Sequence, residues 1–132
     1  MRINLTSVMV DDQEKALKFY TEKLGFVKMA DISLGEYRWL TVVSPEGPEG
    51  VELVLEPMGF PPAKIYQKAL FDAGIPLTSF ATDDIHGEVK RLRERGVVFK
   101  GEPADIGPAI LAMFEDTCGN LIQLAQPKPV KP

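Results

Sequence analysis

A stretch of about 70 residues is written twice in this chain, and that duplication restricts its fold more than any other feature. In the first pass a largely apolar run, Ile3 to Val10, meets the acidic pair Asp11-Asp12. Ala16, Leu17, Tyr20 and Leu24 then recur at helical spacing until Gly25, the pattern of an amphipathic helix with a glycine stop. Asp11 followed by Glu14 reads as a capping box at its start. Three strands are expected next, at Phe26 to Ser33, Tyr37 to Val43 and Val51 to Glu56, separated by turn-rich segments at 34–36 and 45–50.

The second pass repeats the punctuation. Leu77 to Thr82 reads as a short strand, Asp83-Asp84 as the acidic stop, and Val89 and Leu92 as the inward stripe of a helix that Gly96 closes. Strands are expected at Val97 to Lys100, Ala109 to Glu115 and Asn120 to Ala125. Each pass therefore has the order βαβββ, which makes the chain an α+β protein of two tandem modules. Between them, Ile65, Tyr66, Ala69, Leu70 and Ala73 predict a helix over Lys64 to Ala73, stopped by Gly74 and Pro76. It reads as a connector on the core's edge, with a lid over a pocket mouth as the alternative.

At 132 residues and 45% hydrophobic content the chain suits one core. The expected organisation is a single domain over 1–126, with module one at about 2–57, a linker with a short helix at 58–75 and module two at about 76–126. The proline-interrupted segment 127–132 is expected to be a disordered tail. A net charge of −4 offers no basic surface for nucleic acid. No apolar run approaches the roughly 20 residues of a membrane span, and the N-terminus lacks the apolar region of a secretory signal. With Cys118 as the one cysteine, no intrachain disulfide forms, which fits a reducing cytoplasm.

The opening segment, Val10-Asp11-Asp12, Ala16, Phe19-Tyr20 and Leu24-Gly25-Phe26, resembles that of the vicinal-oxygen-chelate proteins, the glyoxalase, bleomycin-resistance and dioxygenase superfamily. Phe114-Glu115-Asp116-Thr117-Cys118-Gly119-Asn120-Leu121-Ile122-Gln123-Leu124 is similar to their closing segment, usually F-x-D-P-x-G-N-x-x-E-L. Thr117 and Cys118 replace the usual proline and acid, and Gln123 replaces the glutamate. The resemblance implies a half-open, cup-shaped mixed β-sheet with helices on its outer face, and a homodimer. It also implies that metal ligands, where relatives have them, come from the first and last strands of each module.

Those positions here are Leu5, Glu52, Leu77 and Gln123. A catalytic transition metal needs about three protein donors, and two leucines, one carboxylate and one amide do not supply them. No cofactor is expected, and a divalent metal would have only Glu52 and Gln123 to hold it. Alternation places Glu52, Val54 and Glu56 on one strand face. Desolvation among Leu5, Leu77 and Val54 would disfavour the charged carboxylate and make Glu52 a candidate acid–base residue. The alternative is a structural Glu52 that pairs with Arg38 or accepts from Gln123. Trp39 would stack an aromatic or cationic ligand if its side of the strand faces the cup, and would be core or interface otherwise. His86, in the first turn of the second helix, reads as a surface residue, and Cys118 as an inert turn residue whose thiol could be exposed.

Two functions remain in view. The first is a metal-independent protein that binds a small organic molecule through Leu5, Trp39, Glu56, Leu77 and Gln123. The second is a lyase, isomerase or dioxygenase of the same superfamily that uses Glu52, with or without a weakly held metal.

Overall fold

The computed structural model describes residues 1–129. The first module is β1 (Leu5–Val10), α1 (Gln13–Lys18), β2 (Val27–Leu34), β3 (Tyr37–Val43) and β4 (Glu52–Pro57). Asp12, rather than Asp11, caps α1, since its carboxylate accepts the Lys15 N–H at 3.1 Å. Asp11 pairs with the Lys15 ammonium at 2.9 Å, and Glu14 with Arg38 at 2.7 Å, so the expected capping box does not form. Both acids are drawn to cations instead of to orphan N–H groups. Beyond Lys18 the helix widens into one turn, Phe19–Lys23, in which the Leu24 N–H reaches the Phe19 carbonyl at 3.2 Å. The wider turn leaves the consecutive rings of Phe19 and Tyr20 both buried.

The linker helix α2 (Pro61–Asp72) starts three residues earlier than expected. Pro61 and Pro62 preset helical φ where no N–H partner is needed. The second module follows as β5 (Thr78–Ala81), α3 (Ile85–Glu94), β6 (Ala104–Asp105), β7 (Ala109–Glu115) and β8 (Leu121–Pro127). Asp84 caps α3 by accepting the Gly87 N–H at 3.1 Å. The strand expected at Val97 to Lys100 is absent: Phe99 makes one isolated bridge to Phe114, and the strand position passes to the two-residue β6. Gly101 and Pro103 interrupt continuous pairing along β7, proline because it has no N–H to give. Of the segment expected as a tail, Pro127 pairs with Ala109 and Lys128 meets Asp105 at 2.6 Å, so order extends past the expected boundary. Residues 130–132 lie outside the described residues.

The strands form two separate four-stranded sheets, ordered β1-β4-β3-β2 and β5-β8-β7-β6, each with one parallel pair (β1 with β4, β5 with β8) and neither closed. Each sheet carries its helix on one face. Ala16, Phe19 and Tyr20 cover Val8, Val10, Leu40 and Leu55, while Ile85, Val89 and Leu92 cover Ala112, Phe114, Ile122 and Leu124. These residues form a single cluster, each large side chain worth about 1.5–3 kcal/mol on burial. The covered faces turn toward each other across α1. Phe19 lies 6.4 Å from Phe114 and Phe26 5.2 Å from Phe80, ring to ring. The helix ends are clasped as well, with the Lys23 ammonium on the Arg95 carbonyl at 2.6 Å and the Arg95 guanidinium on the Lys23 carbonyl at 2.8 Å.

A buried polar network joins the modules alongside the core. Asp116 accepts from the Tyr20 hydroxyl (2.7 Å), the Asn120 amide (2.7 Å) and the N–H groups of Cys118 (2.8 Å) and Asn120 (3.1 Å). The Asn120 amide also donates to the Met9 carbonyl at 2.7 Å, and Gln67 of α2 donates to that carbonyl at 2.9 Å and to Asn120 Oδ1 at 2.9 Å. Burial pushes the Asp116 carboxyl above its usual range, against the lowering effect of its donors. The Tyr20 phenol is pushed up too, by burial and then by the Asp116 charge.

Candidate functional site

Each sheet keeps one face without a helix. In the first sheet Leu40 and Leu55 lie under α1, so alternation sends Trp39, Thr41, Glu52, Val54 and Glu56 to the open face. Register agrees: Leu5 pairs with Glu52, Met9 with Glu56, Thr41 with Val54, Ile32 with Trp39 and Leu34 with Tyr37. This decides the strand face that sequence left open. Tyr37 and Trp39 share the face of Glu52, and Arg38 belongs to the covered side.

There Arg38 meets Asp31 at 2.9 and 2.7 Å and Glu14 at 2.7 Å. Hydrogen bonding from Arg38 holds the Asp31 carboxyl down at about 2. Arg38 therefore does not pair with Glu52. Gln123 does not either, because its amide donates to Ser79 Oγ at 3.1 Å on the second sheet. Glu52 instead accepts from the Thr41 hydroxyl at 2.6 Å, and that oxygen accepts the Ala30 N–H at 3.0 Å. Glu52 and Trp39 are half-buried, Thr41 is fully buried and Leu5 is exposed. At the rim the Tyr37 ring lies against Gly59, where a Cβ would come within 3.0 Å of it.

Leu5, Trp39, Glu52 and Glu56 are thus assembled on one surface. Gln123 shares the open face of the other sheet with Ser79 and Met113. Leu77 precedes β5 and packs half-buried against the core. The two open faces point away from the shared core, so one chain does not bring Glu52 and Gln123 together. Among the described residues no three of His, Cys, Asp and Glu converge. One carboxylate hydrogen-bonded to a threonine does not fit the donor set of a catalytic divalent metal.

His86 is exposed in the first turn of α3. Cys118 is buried, not exposed in its turn, and burial followed by the Asp116 charge pushes its thiol up to about 12. Sequence reasoning missed Thr41, whose hydroxyl is the partner of Glu52. It also missed Gln67, although a glutamine between Ala63 and Leu70 on the inner stripe of α2 is a readable sign of a buried amide. A cleft of about 490 Å³ between the modules, lined by Thr6, Phe26, Val42, Leu53 and Phe80, had no signal in the pattern.

The family model described as Glyoxalase/Bleomycin resistance protein/Dioxygenase superfamily matches residues 2–124. The chain belongs to this superfamily. It is 52% identical over 126 residues to the uncharacterized protein YurT of Bacillus subtilis (strain 168), spanning 96% of this chain and 99% of that protein. Among solved structures, UcmS2 superposes with a TM-score of 0.81 at 32% identity, covering 95% of this chain and 97% of that one. TnmS3, an antibiotic binding protein from Streptomyces sp. CB03234, superposes at 0.75 with 36% identity and 97% coverage of both. Among the described residues no helix is long and apolar enough to cross a membrane.

Proposed function

We propose that this protein binds a small organic molecule on its open sheet faces, without a metal or other cofactor, and acts as a homodimer. The observation that carries the reading is the open face of the first sheet, where a tryptophan and a half-buried carboxylate lie among apolar side chains with no helix above them. Such a mix of apolar wall and few polar groups is what small-molecule sites use. The likeness to TnmS3, an antibiotic binding protein, supports it.

Dimerisation is favoured by the exposure of Ile32 (56%), Leu34 (60%) and Tyr37 (43%) on that face. Only a second copy can set Gln123 opposite Glu52. The reading places the protein in the cytoplasm, where a lone buried thiol stays reduced. The test combines elemental analysis of untagged protein with a thermal-shift screen of divalent metals and small aromatic molecules. Aromatic molecules are expected to raise the midpoint of metal-free protein. Stoichiometric Zn, Ni, Mn or Fe, together with turnover that chelation abolishes and Glu52→Gln removes, would replace this reading with the superfamily's enzymatic one.

A further inference from the structure

We infer that the open face of the first sheet selects flat aromatic molecules that carry a positive charge. The inference rests on the proposal that this face is a ligand site and adds the class of ligand. Its first support is the segregation of charge across the sheet. Lys28 and Asp31 pair in register with Val42 and Leu40, and Ser33 with Arg38, so these ionisable groups belong to the side that α1 covers. Among the described residues the charged side chains on the strands of the open face are Glu52 and Glu56. Both are acids.

The second support is that neither acid is neutralised. Among the described residues the Glu52 carboxylate has the Thr41 hydroxyl as its one hydrogen-bond partner, and Glu56 makes no ion pair. Arg38, the nearest arginine in sequence, is held on the far side by Asp31 and Glu14. Among the described residues the open face of the second sheet adds no free cation that would change the balance: Gln123, Ser79 and Met113 are neutral, and Glu115 is matched by Lys100 at 3.2 Å. A surface set opposite the first sheet by dimerisation would leave its field negative.

The third support is shape. Trp39 and Tyr37 bring aromatic rings to a face otherwise lined by Leu5, Ile32 and Leu34. An aromatic cation gains three ways on such a surface: stacking on the indole, attraction to the ring's negative face, and Coulombic attraction to carboxylates in a half-desolvated setting. An aromatic anion of the same size gains only the first and is repelled by the acids. A small aliphatic amine gains the charge terms but leaves the apolar wall wet.

Trp39 is the one tryptophan of the chain, so its fluorescence reads this face directly. Three probes with the same three-ring plan separate charge from shape: 9-aminoacridine as the cation, 9-anthracenemethanol as the neutral molecule and 9-anthracenecarboxylate as the anion. Affinities come from calorimetry, with Trp39 quenching to place the probe. The cation is expected to bind about tenfold tighter than the anion, with the neutral probe between them, as two partly desolvated carboxylates imply. Glu52→Gln and Glu56→Gln are each expected to cut that preference about threefold with the thermal midpoint retained, and about 0.5 M NaCl to shrink it by screening. Equal or tighter binding of the neutral or anionic probe, or a preference that survives both substitutions, overturns the charge inference and leaves the ligand site standing. If no probe binds and Trp39 is unquenched, the ligand site itself falls, and the inference with it.

Discussion

Asp116→Ala removes the acceptor of four hydrogen bonds at once, from the Tyr20 hydroxyl, the Asn120 amide and two backbone N–H groups. An unsatisfied buried donor costs about 1–3 kcal/mol. Water entering the vacated space restores some partners, which brings the expected loss to about 3–5 kcal/mol, a large share of an ordinary domain's stability of about 5–15 kcal/mol. For a chain of this length the thermal midpoint should fall by about 10–20 °C. Asp116→Asn keeps one oxygen for the Cys118 and Asn120 N–H groups but turns an amide NH2 toward two donors, so about half the loss is expected. Urea unfolding followed by far-ultraviolet circular dichroism measures both, with the midpoint shifting at unchanged slope. Burial raises the Asp116 carboxyl above its ordinary value of 3.8, so the folded state binds that proton more tightly than the unfolded chain. This group's contribution therefore falls as pH climbs through the window above 3.8, and Asp116→Asn should remove that slope. An alanine variant within about 1 kcal/mol of the parent would refute the claim that this network ties the modules together.

Asp31 has the opposite sign: its carboxyl is held at about 2 by Arg38, so its stabilisation is full above its ordinary value of 3.8 and is lost as pH falls toward 2. Asp31→Asn should flatten the thermal midpoint against pH over that acid range. Cys118, buried with its thiol near 12, should not react with Ellman's reagent in native protein at mildly alkaline pH, and should react fully in denaturant. Gly119 has φ of +97° and its absent Cβ would lie 2.6 Å from Gln67 Oε1. Gly119→Ala should therefore cost about 2 kcal/mol or more, read as a lower urea midpoint.

The parts of this fold that could be read from sequence are those whose cause is local. Acidic stops at Asp11-Asp12 and Asp83-Asp84, followed by helical spacing and closing glycines, announce each module because capping and left-handed termination act within one turn. The missing strand at Val97 to Lys100 shows where such reading ends: its residues are β-prone and lie beside β7, with the Lys100 N–H on the Met113 carbonyl at 2.7 Å, yet pairing stops after the one bridge from Phe99 to Phe114 because Gly101 and Pro103 follow. Trp39 posed a different difficulty. Both sides of β3 carry apolar residues, Trp39 with Tyr37 and Leu40 with Val42, so a period of two identifies two faces without saying which one α1 covers. Only the contact of α1 with Leu40 and Leu55 answers that. Glu52 on the open face was foreseeable from alternation, whereas its bond to Thr41 depends on the β3 and β4 register.

The same division explains why family membership was easier to read than activity. The closing segment that carries the resemblance, Phe114 to Leu124, spends its distinctive residues on the junction: Asp116 and Asn120 gather donors from both modules, and Gly119 makes the tight approach to Gln67. These contacts lie on the core side, away from Trp39, Glu52 and Gln123. A chain can therefore keep the whole latch while any donor on the open faces is exchanged, because an open-face residue such as Leu5, 40% exposed at the sheet edge, bears little of the core's packing. Leucine at the metal-ligand position 5 thus costs the fold little and changes what the open face can hold. It follows that replacing Leu5 with histidine should leave the urea midpoint within about 0.5 kcal/mol of the parent, as for ordinary surface changes. A collapse of stability on that substitution would show that the open face and the core are not separately encoded.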